Sequence, residues 1–270
     1  MPASHRHELA PAGIGHPRVR QFLNIKHNRV KNAEGAFALE GLWSIERAVE
    51  ANVPIEVVFV CRALQRGDEA DRVIDNLREG GTRPFEVSER VLRRMVDRDG
   101  PDGLAAIAHL RTPRLNDVAV GPATRVVVAD GFELAGNLGT LIRCADGAGA
   151  AAVVLTDRRL RVSHPRVLKA SMGTVFSTPV VDADRADALA WLRARGFRVI
   201  AAEPAAPTSY RDADYRGRVA IVLGSERHGV APFWVDAADV TVSIPMRGVA
   251  DSLNVGHAAA LLLYEALHQA

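Results

Sequence analysis

"RVVVADGFELAGNLGTLIRCADGAGA", residues 125–150, opens as an apolar, β-branched run ending in Asp130 and finishes as an Ala/Gly-rich helix. The run shows no polar alternation, so it reads as a strand buried on both faces, the kind found in parallel sheets. A strand that turns into a helix is half of a βαβ unit, and the pattern repeats downstream. "AAVVLT" (151–156), "FSTPVV" (176–181), "FRVIAAE" (197–203), "RVAIVLGS" (218–225) and "VTVSIP" (240–245) read as strands. "HPRVLKAS" (164–171), "RADALAWLRARG" (185–196, closed by Gly196) and "DSLNVGHAAALLLYEALHQ" (251–269, capped by Asp251 or Ser252) read as helices. Strands alternating with helices predict an α/β fold whose parallel sheet is covered on both faces. What the alternation does not explain is Asn137 and Arg143, a polar amide and a fixed positive charge at the first strand-helix join.

With 270 residues, 48% of them hydrophobic and 24% charged, the chain can bury one large core or two ordinary ones. Nothing approaches eighteen consecutive apolar residues, and "MPASHRHELAPAGIGHPRVRQ" has no apolar stretch after its charges. Neither a membrane span nor a signal peptide is therefore expected, and the reading places the chain in the cytoplasm. Cys61 and Cys144 each sit in an apolar run, which fits reduced thiols better than a disulfide or a zinc site, and no metal is implied. The net charge of +2 conceals an uneven distribution. Residues 1–35 hold six Lys/Arg (Arg6, Arg18, Arg20, Lys26, Arg29, Lys31) against two Glu. Such a run is either a solvated face or a surface for nucleic-acid phosphates, with Arg29 and Lys31 as candidate contacts.

Upstream of the quoted stretch, residues 17–110 read as a smaller α/β domain, after a flexible tail at 1–16. "PRVRQFLNIKHNRVKN" has helical spacing at Val19, Phe22, Leu23 and Val30; "AFALEG" is a strand; "SIERAVEAN" is a helix opening on Ser44 as N-cap. "IEVVFVC", "RPFEVS" and "GLAAIAHL" follow as strands, with "DEADRVIDNLREGG", stopped at Gly80, and "SERVLRRMVD" as helices between them. Two prolines and no sustained period mark a linker at 111–122, so the second domain spans 123–270.

In a parallel α/β sheet ligands sit at the carboxyl ends of strands, and three such ends here are polar or glycine-rich. The first holds Asn137 and Arg143; it carries neither G-x-G-x-x-G nor a phosphate-loop signature, and alone it could be a glycine turn with a capping Asn. The second, "IVLGSERHGV" (221–230), places Gly224 and Glu226 after a buried strand, where a turn and a capping Ser-Glu would also serve. The third, "SIPMRGVADSLNVGH" (243–257), runs from Ile244 and Met246 to Ser252, Leu253 and Asn254 at the start of the last helix, where an Asn is commonly a cap. Each has an ordinary explanation; their combination does not.

N-x-G-x-x-x-R, L-G-x-E-x-x-G and I-P-M…S-L-N-V, in this order and each after an expected strand, resemble the three motifs of the SpoU (TrmH-like) branch of the SPOUT RNA methyltransferases. The resemblance covers roughly 123–268. More weakly, "EGLWSIERAVEANVPIEVVFV" makes residues 17–110 resemble the L30e-like RNA-binding domain that often precedes this catalytic domain. The whole layout is similar to ribosomal RNA 2'-O-methyltransferases, including the thiostrepton and avilamycin resistance enzymes; a tRNA substrate is the rival within the family, and a non-catalytic RNA-binding relative the rival outside it.

The resemblance implies a SPOUT domain with a deep trefoil knot, which general topology rules would not propose. It also implies S-adenosyl-L-methionine as cofactor, RNA, most directly 23S ribosomal RNA, as substrate, and a homodimer paired through the C-terminal domain. Arg143 matches the catalytic arginine, either as a base or as an electrostatic stabiliser of the developing alkoxide; a guanidinium is too weak an acid to serve readily as a base, which favours the second. Asn137, Glu226 and Asn254 match the conserved polar positions that orient Arg143, the ribose and the cofactor loops. Gly224, Ile244, Met246, Ser252 and Leu253 match the loops that hold the cofactor, chiefly through backbone groups. "RVLKASMGTVFSTPV" resembles a further family stretch and offers Lys169, one of three lysines in the chain, and Ser171 as RNA contacts.

Overall fold

The structure is a computed structural model that describes residues 9–29, 35–65, 67–97 and 102–269. It divides between Arg111 and Thr112 into two units. The first is built from β1 (Ala10–Pro11), α1 (Pro17–Lys26), β2 (Ala36–Glu40), α2 (Leu42–Glu50), β3 (Ile55–Val60), α3 (Glu69–Glu79), β4 (Arg83–Glu86), α4 (Glu89–Met95) and β5 (Leu104–His109). Its five strands lie in the order β1-β4-β3-β5-β2, parallel on the β1-β4-β3 side and antiparallel on the β3-β5-β2 side. A core of Phe22, Phe59, Phe85, Leu92, Met95 and Ile107 joins α1 and α4 to the sheet, with the Phe22 and Phe59 rings edge-on at 5.7 Å.

Three local expectations are corrected here. Residues 10–11, read as part of a tail, pair with β4, and Leu9 and Ala12 beside them are buried. Helix α2 begins at Leu42, so Ser44 lies inside it; Gly41 is the N-cap, and the Leu42 amide donates to Asp102 Oδ2 at 3.0 Å. That aspartate is sixty residues away in sequence, and local capping statistics cannot see it. The helix read across 17–32 ends at Lys26, and Val30 and Lys31 fall outside the described residues.

The second unit runs β6 (Arg125–Asp130), α5 (Ala135–Gly147), β7 (Ala152–Thr156), α6 (Pro165–Ser171), β8 (Val180–Asp182), α7 (Arg185–Ala194), β9 (Arg198–Ala202), β10 (Thr208–Ser209), β11 (Val219–Leu223), α8 (Pro232–Ala237), β12 (Val240–Ser243) and α9 (Val255–His268). All seven strands are parallel, in the order β10-β12-β9-β11-β6-β7-β8. Every residue of β7 and β11 is buried, as uniformly apolar strands between two helical layers must be. On one face Val126, Val128, Val199 and Val222 pack under Trp191 of α7 and Trp234 of α8. On the other lie α5, α6 and α9.

The chain leaves β6 toward β7 and β8, then crosses back to build β9 and β11 on the other side. Strand order therefore reverses between β6 and β11, where an open parallel sheet leaves a crevice at its carboxyl edge. Two of the three motifs emerge from those two strands.

Candidate active site

Helix α5 brings the motifs together because it presents two packing faces. Toward α6 it is pared to glycine: a Cβ on Gly139 would stand 2.5 Å from the Val167 carbonyl oxygen and 2.6 Å from Ala170 Cβ. The glycine of N-x-G-x-x-x-R thus lets two helices touch and needs no ligand to explain it. Toward α9, one turn apart, stand Asn137, Thr140, Cys144 and Gly147; Cys144 Sγ donates to the Gly256 carbonyl at 3.7 Å. Burial pushes the Cys144 thiol up against the opposing pull of the Arg143 charge, which makes it an inert packing group.

One chain of hydrogen bonds ties the three motifs. Asn137 Nδ2 donates to Glu226 Oε1 at 2.7 Å, Asn254 Nδ2 donates to Asn137 Oδ1 at 3.1 Å, and Gly256 N donates to Asn254 Oδ1 at 2.9 Å. The direction is forced. An ionised carboxylate only accepts, so Asn137 must turn its NH2 to Glu226 and its oxygen to Asn254, whose own oxygen is then left for the helix amide. The Glu133 amide reaches the second Glu226 oxygen at 3.5 Å. The last helix consequently starts at Val255 with Asn254 as its cap, which corrects the expectation of Asp251 or Ser252. Asn254 is both the ordinary cap and the member of the constellation, one side-chain atom for each.

Arg143 lies on α5 between the two packing faces. It is exposed, and no hydrogen bond or ion pair joins it to Asn137, Glu226, Asn254 or any other described residue. The expectation that Asn137 orients Arg143 finds no direct contact. Lys169 is exposed on α6 with no side-chain partner among the described residues, whereas Ser171 is fully buried and its hydroxyl donates to the Leu168 carbonyl at 3.0 Å. Ser171 therefore serves α6 packing and is not available to RNA in this arrangement. Arg29 is exposed at the end of α1.

The loops proposed for the cofactor follow β11 and β12. A Cβ on Gly224 would lie 1.9 Å from the Gly229 carbonyl oxygen, because Ser225 and Gly229 pair to fold 224–230 tightly on itself. Ile244 and Met246 are half-buried, and Ser252 and Leu253 are exposed. Among the described residues no backbone–backbone hydrogen bond engages 244–253, so that loop's amides and carbonyls remain available, with apolar side chains beside them. A loop of this kind fits a flat heterocycle read by backbone groups.

Sequence reading missed a second array at the carboxyl ends of β6 and β7. Asp130, 2% exposed, accepts from Thr156 Oγ1 at 2.7 Å and from Arg185 Nε and Nη2 at 2.7 and 3.0 Å; Arg185 also reaches Asp157 Oδ2 at 3.1 Å. The Arg159 hydrogen bond lowers the Asp157 pKa, against slight desolvation. This lattice stiffens the turn between β6 and α5 that presents Glu133 to Glu226. An aspartate ending an apolar strand was its only sequence signal. No group of three or more His, Cys, Asp or Glu among the described residues could hold a metal ion, and no described helix is long and apolar enough to cross a membrane.

Residues 124–264 match the SpoU rRNA Methylase family, and residues 16–106 match the MRM3-like substrate binding domain. The chain belongs to the SpoU rRNA Methylase family. It is 27% identical over 92% of its length to the 23S rRNA (guanosine(2553)-2'-O)-methyltransferase RlmP of Bacillus subtilis, covering 94% of that protein. It is 26% identical over 93% of its length to the 23S rRNA (uridine(2479)-2'-O)-methyltransferase of Streptomyces viridochromogenes, covering 90% of it. Among solved structures, the AdoMet-bound rRNA methyltransferase of Sinorhizobium meliloti superposes with a TM-score of 0.87 at 27% identity, covering 97% of both chains. The all-parallel sheet with α9 returned against α5 is that of the SPOUT knot fold, and the chain is an S-adenosylmethionine-dependent RNA 2'-O-ribose methyltransferase.

Proposed function

We propose that this enzyme methylates a ribose 2'-hydroxyl of 23S ribosomal RNA, in the cytoplasm, as a homodimer paired through its C-terminal unit. The observation that carries the catalytic reading is the Glu226–Asn137–Asn254 chain, which locks three motif loops around the first turns of α5 while Arg143 on that helix stays unpaired. S-adenosylmethionine, when bound, supplies an activated methyl group on sulfur. Ile244, Met246, Ser252, Leu253 and the turn at Gly224 would hold it, mainly through backbone groups. Methyl transfer needs near-linear approach, and a rigid site contributes by fixing that line. The guanidinium of Arg143 offers only donors, so it stabilises the negative charge growing on the 2'-oxygen while an RNA phosphate or water takes the proton.

The match of 16–106 to a substrate-binding domain, together with whole-length similarity to enzymes whose names specify 23S rRNA, favours ribosomal RNA over tRNA. The first unit then supplies RNA contacts, with Arg29 on its surface. The test is primer-extension mapping of ribose methylation in total RNA from cells with and without the gene. One 23S stop lost on deletion is the expected result; a stop lost only in tRNA overturns the substrate assignment. A stop at a drug-binding nucleotide would add a resistance role.

For the dimer, α9 gives the support. Val255, Leu262 and Leu263 are buried within the chain, but Leu261, Tyr264 and Leu267 remain 39%, 52% and 39% exposed along one stripe. An apolar stripe on a helix already packed on its other side suits a second copy. Sedimentation equilibrium at micromolar concentration should give a dimer, and Tyr264→Arg a monomer; a wild-type monomer would remove the claim.

A further inference from the structure

The catalytic unit treats its cations in two ways. Arg158 pairs with Asp182 at 2.6 Å, Arg159 with Asp157 at 2.7 Å, Arg193 with Asp239 at 2.7 Å and Arg216 with Asp214 at 2.8 Å. Arg166, Lys169, Arg227 and Arg247, like Arg143, are exposed and make no side-chain hydrogen bond or ion pair among the described residues. Arg114, which precedes β6, and the half-buried Arg125, which opens it, stand at the amino end of the sheet.

The free cations are not scattered. Arg166 and Lys169 ride on α6, which packs against Gly139 of α5. Arg227 follows Glu226, and Arg247 lies in the loop that ends in Asn254; both neighbours hold Asn137. Carboxylates near these cations in sequence or on α5 are otherwise occupied or unpaired with them. Glu226 is engaged by Asn137, Asp146 accepts from Ser177 and Thr178, Asp251 accepts from Ser252, and Glu133 is exposed. Among the described residues none of them forms an ion pair with Arg166, Lys169, Arg227 or Arg247. Gathering like charges without counter-charges raises self-repulsion, which a polyanion relieves by binding, with release of its own counterions.

We propose that Arg166, Lys169, Arg227 and Arg247 form a phosphate-backbone track on the catalytic unit itself, laying the RNA strand across α5 so that the target ribose reaches Arg143. The proposal rests on the methyltransferase reading above. Guanidinium forks suit phosphate oxygens, and contacts of this type fix register without reading bases.

The full chain is tested by anisotropy with a labelled mixed-sequence single-stranded RNA across a salt series, and by methyl transfer to a 23S rRNA transcript. Two double variants, Arg166→Gln with Lys169→Gln and Arg227→Gln with Arg247→Gln, should each lower the slope of log affinity against log salt by about 1.4, from about 0.7 per phosphate contact. Each should raise KM for RNA about tenfold with little change in kcat. Arg216→Gln, which removes an exposed but paired cation, should leave the slope unchanged. Melting curves and cofactor calorimetry confirm that each variant is folded and binds S-adenosylmethionine. Wild-type slopes in both double variants, or an equal slope loss in Arg216→Gln, overturn the track while wild-type methylation stands. A wild-type chain that methylates no RNA overturns the functional reading instead.

Discussion

The basic run near the start of the chain and the rim of the active site carry similar charge but use it differently. In the run, Lys26 is buried, its Nζ 3.1 Å from Glu40, 2.8 Å from Asp97 and 2.5 Å from the Met95 carbonyl, and Arg18 pairs with Glu56, which also meets His109 at 3.0 Å. Two of the cations that make the sequence look like a nucleic-acid surface are thus engaged within the fold, holding α1 to β2, β3 and the end of α4. At the rim Arg166, Lys169, Arg227 and Arg247 make no ion pair among the described residues, although Glu226 and Asp251 lie close to two of them in sequence. Charge density along a sequence therefore does not locate a polyanion site; what matters is which cations the fold leaves unpaired, because a paired guanidinium must break a contact before it can make one.

The comparison is most exposed to failure at Arg143. Arg143→Ala should reduce methyl transfer by about a hundred- to a thousandfold, in line with losing a main stabiliser of developing charge, while leaving the melting temperature and S-adenosylmethionine affinity nearly unchanged. Tritium transfer, calorimetry and thermal melting measure the three. A clear drop in melting temperature would mean that Arg143 has a structural partner and belongs with the other class.

Lys26 should behave in the opposite sense. Lys26→Met leaves Glu40 without its buried counter-charge and the Met95 carbonyl without its donor, and should cost about 2 kcal/mol, below the usual range for a broken buried pair because Asp97 is largely exposed. Urea denaturation reads the stability and anisotropy the RNA affinity. An RNA affinity that falls while stability holds would return Lys26 to the binding surface.

The smallest effect concerns Glu56. Burial raises its pKa, but the hydrogen bond from His109 and the charge and hydrogen bond of Arg18 outweigh that and bring it below the ordinary 4.5. A carboxylate with a depressed folded pKa adds stability that is fully present above its unfolded pKa and is lost as pH falls through the folded value. Wild type should therefore lose stability relative to Glu56→Gln as pH drops below about 4.5, by up to roughly 1 kcal/mol for a partly exposed site. Parallel stability curves for the two proteins between pH 6 and 3 would show that the His109 and Arg18 contacts together contribute nothing.

The parallel sheet, the three motif loops and the glycine-punctuated helix after β6 were legible because they depend on local composition: an unbroken apolar run needs burial on both faces wherever it lies. The caps were less legible. Ser88 and Asn254 cap their helices within three residues of themselves, as sequence statistics expect, but α2 takes its first-turn acceptor from Asp102 and Ser44 is left inside the helix. Ser171 and Lys169 look alike in the motif, yet one is sealed against α5 and the other faces solvent, since a two-residue step on a helix turns a side chain to the opposite face.

By itself, then, the sequence determined the α/β class, the order of the units and the identity of Asn137, Arg143, Glu226 and Asn254 as the residues to watch. Only the tertiary structure decided that three of them form one directional hydrogen-bond chain and that Arg143 stands outside it. It also revealed Asp130 and Arg185 as the brace beneath the β6 turn, and it separated the paired cations from the free ones. The physical reason is common to all three. Propensity and burial are properties of a segment, whereas a hydrogen bond or ion pair belongs to two groups that the chain brings together from up to 117 residues apart, and which partner each polar group meets is fixed by packing.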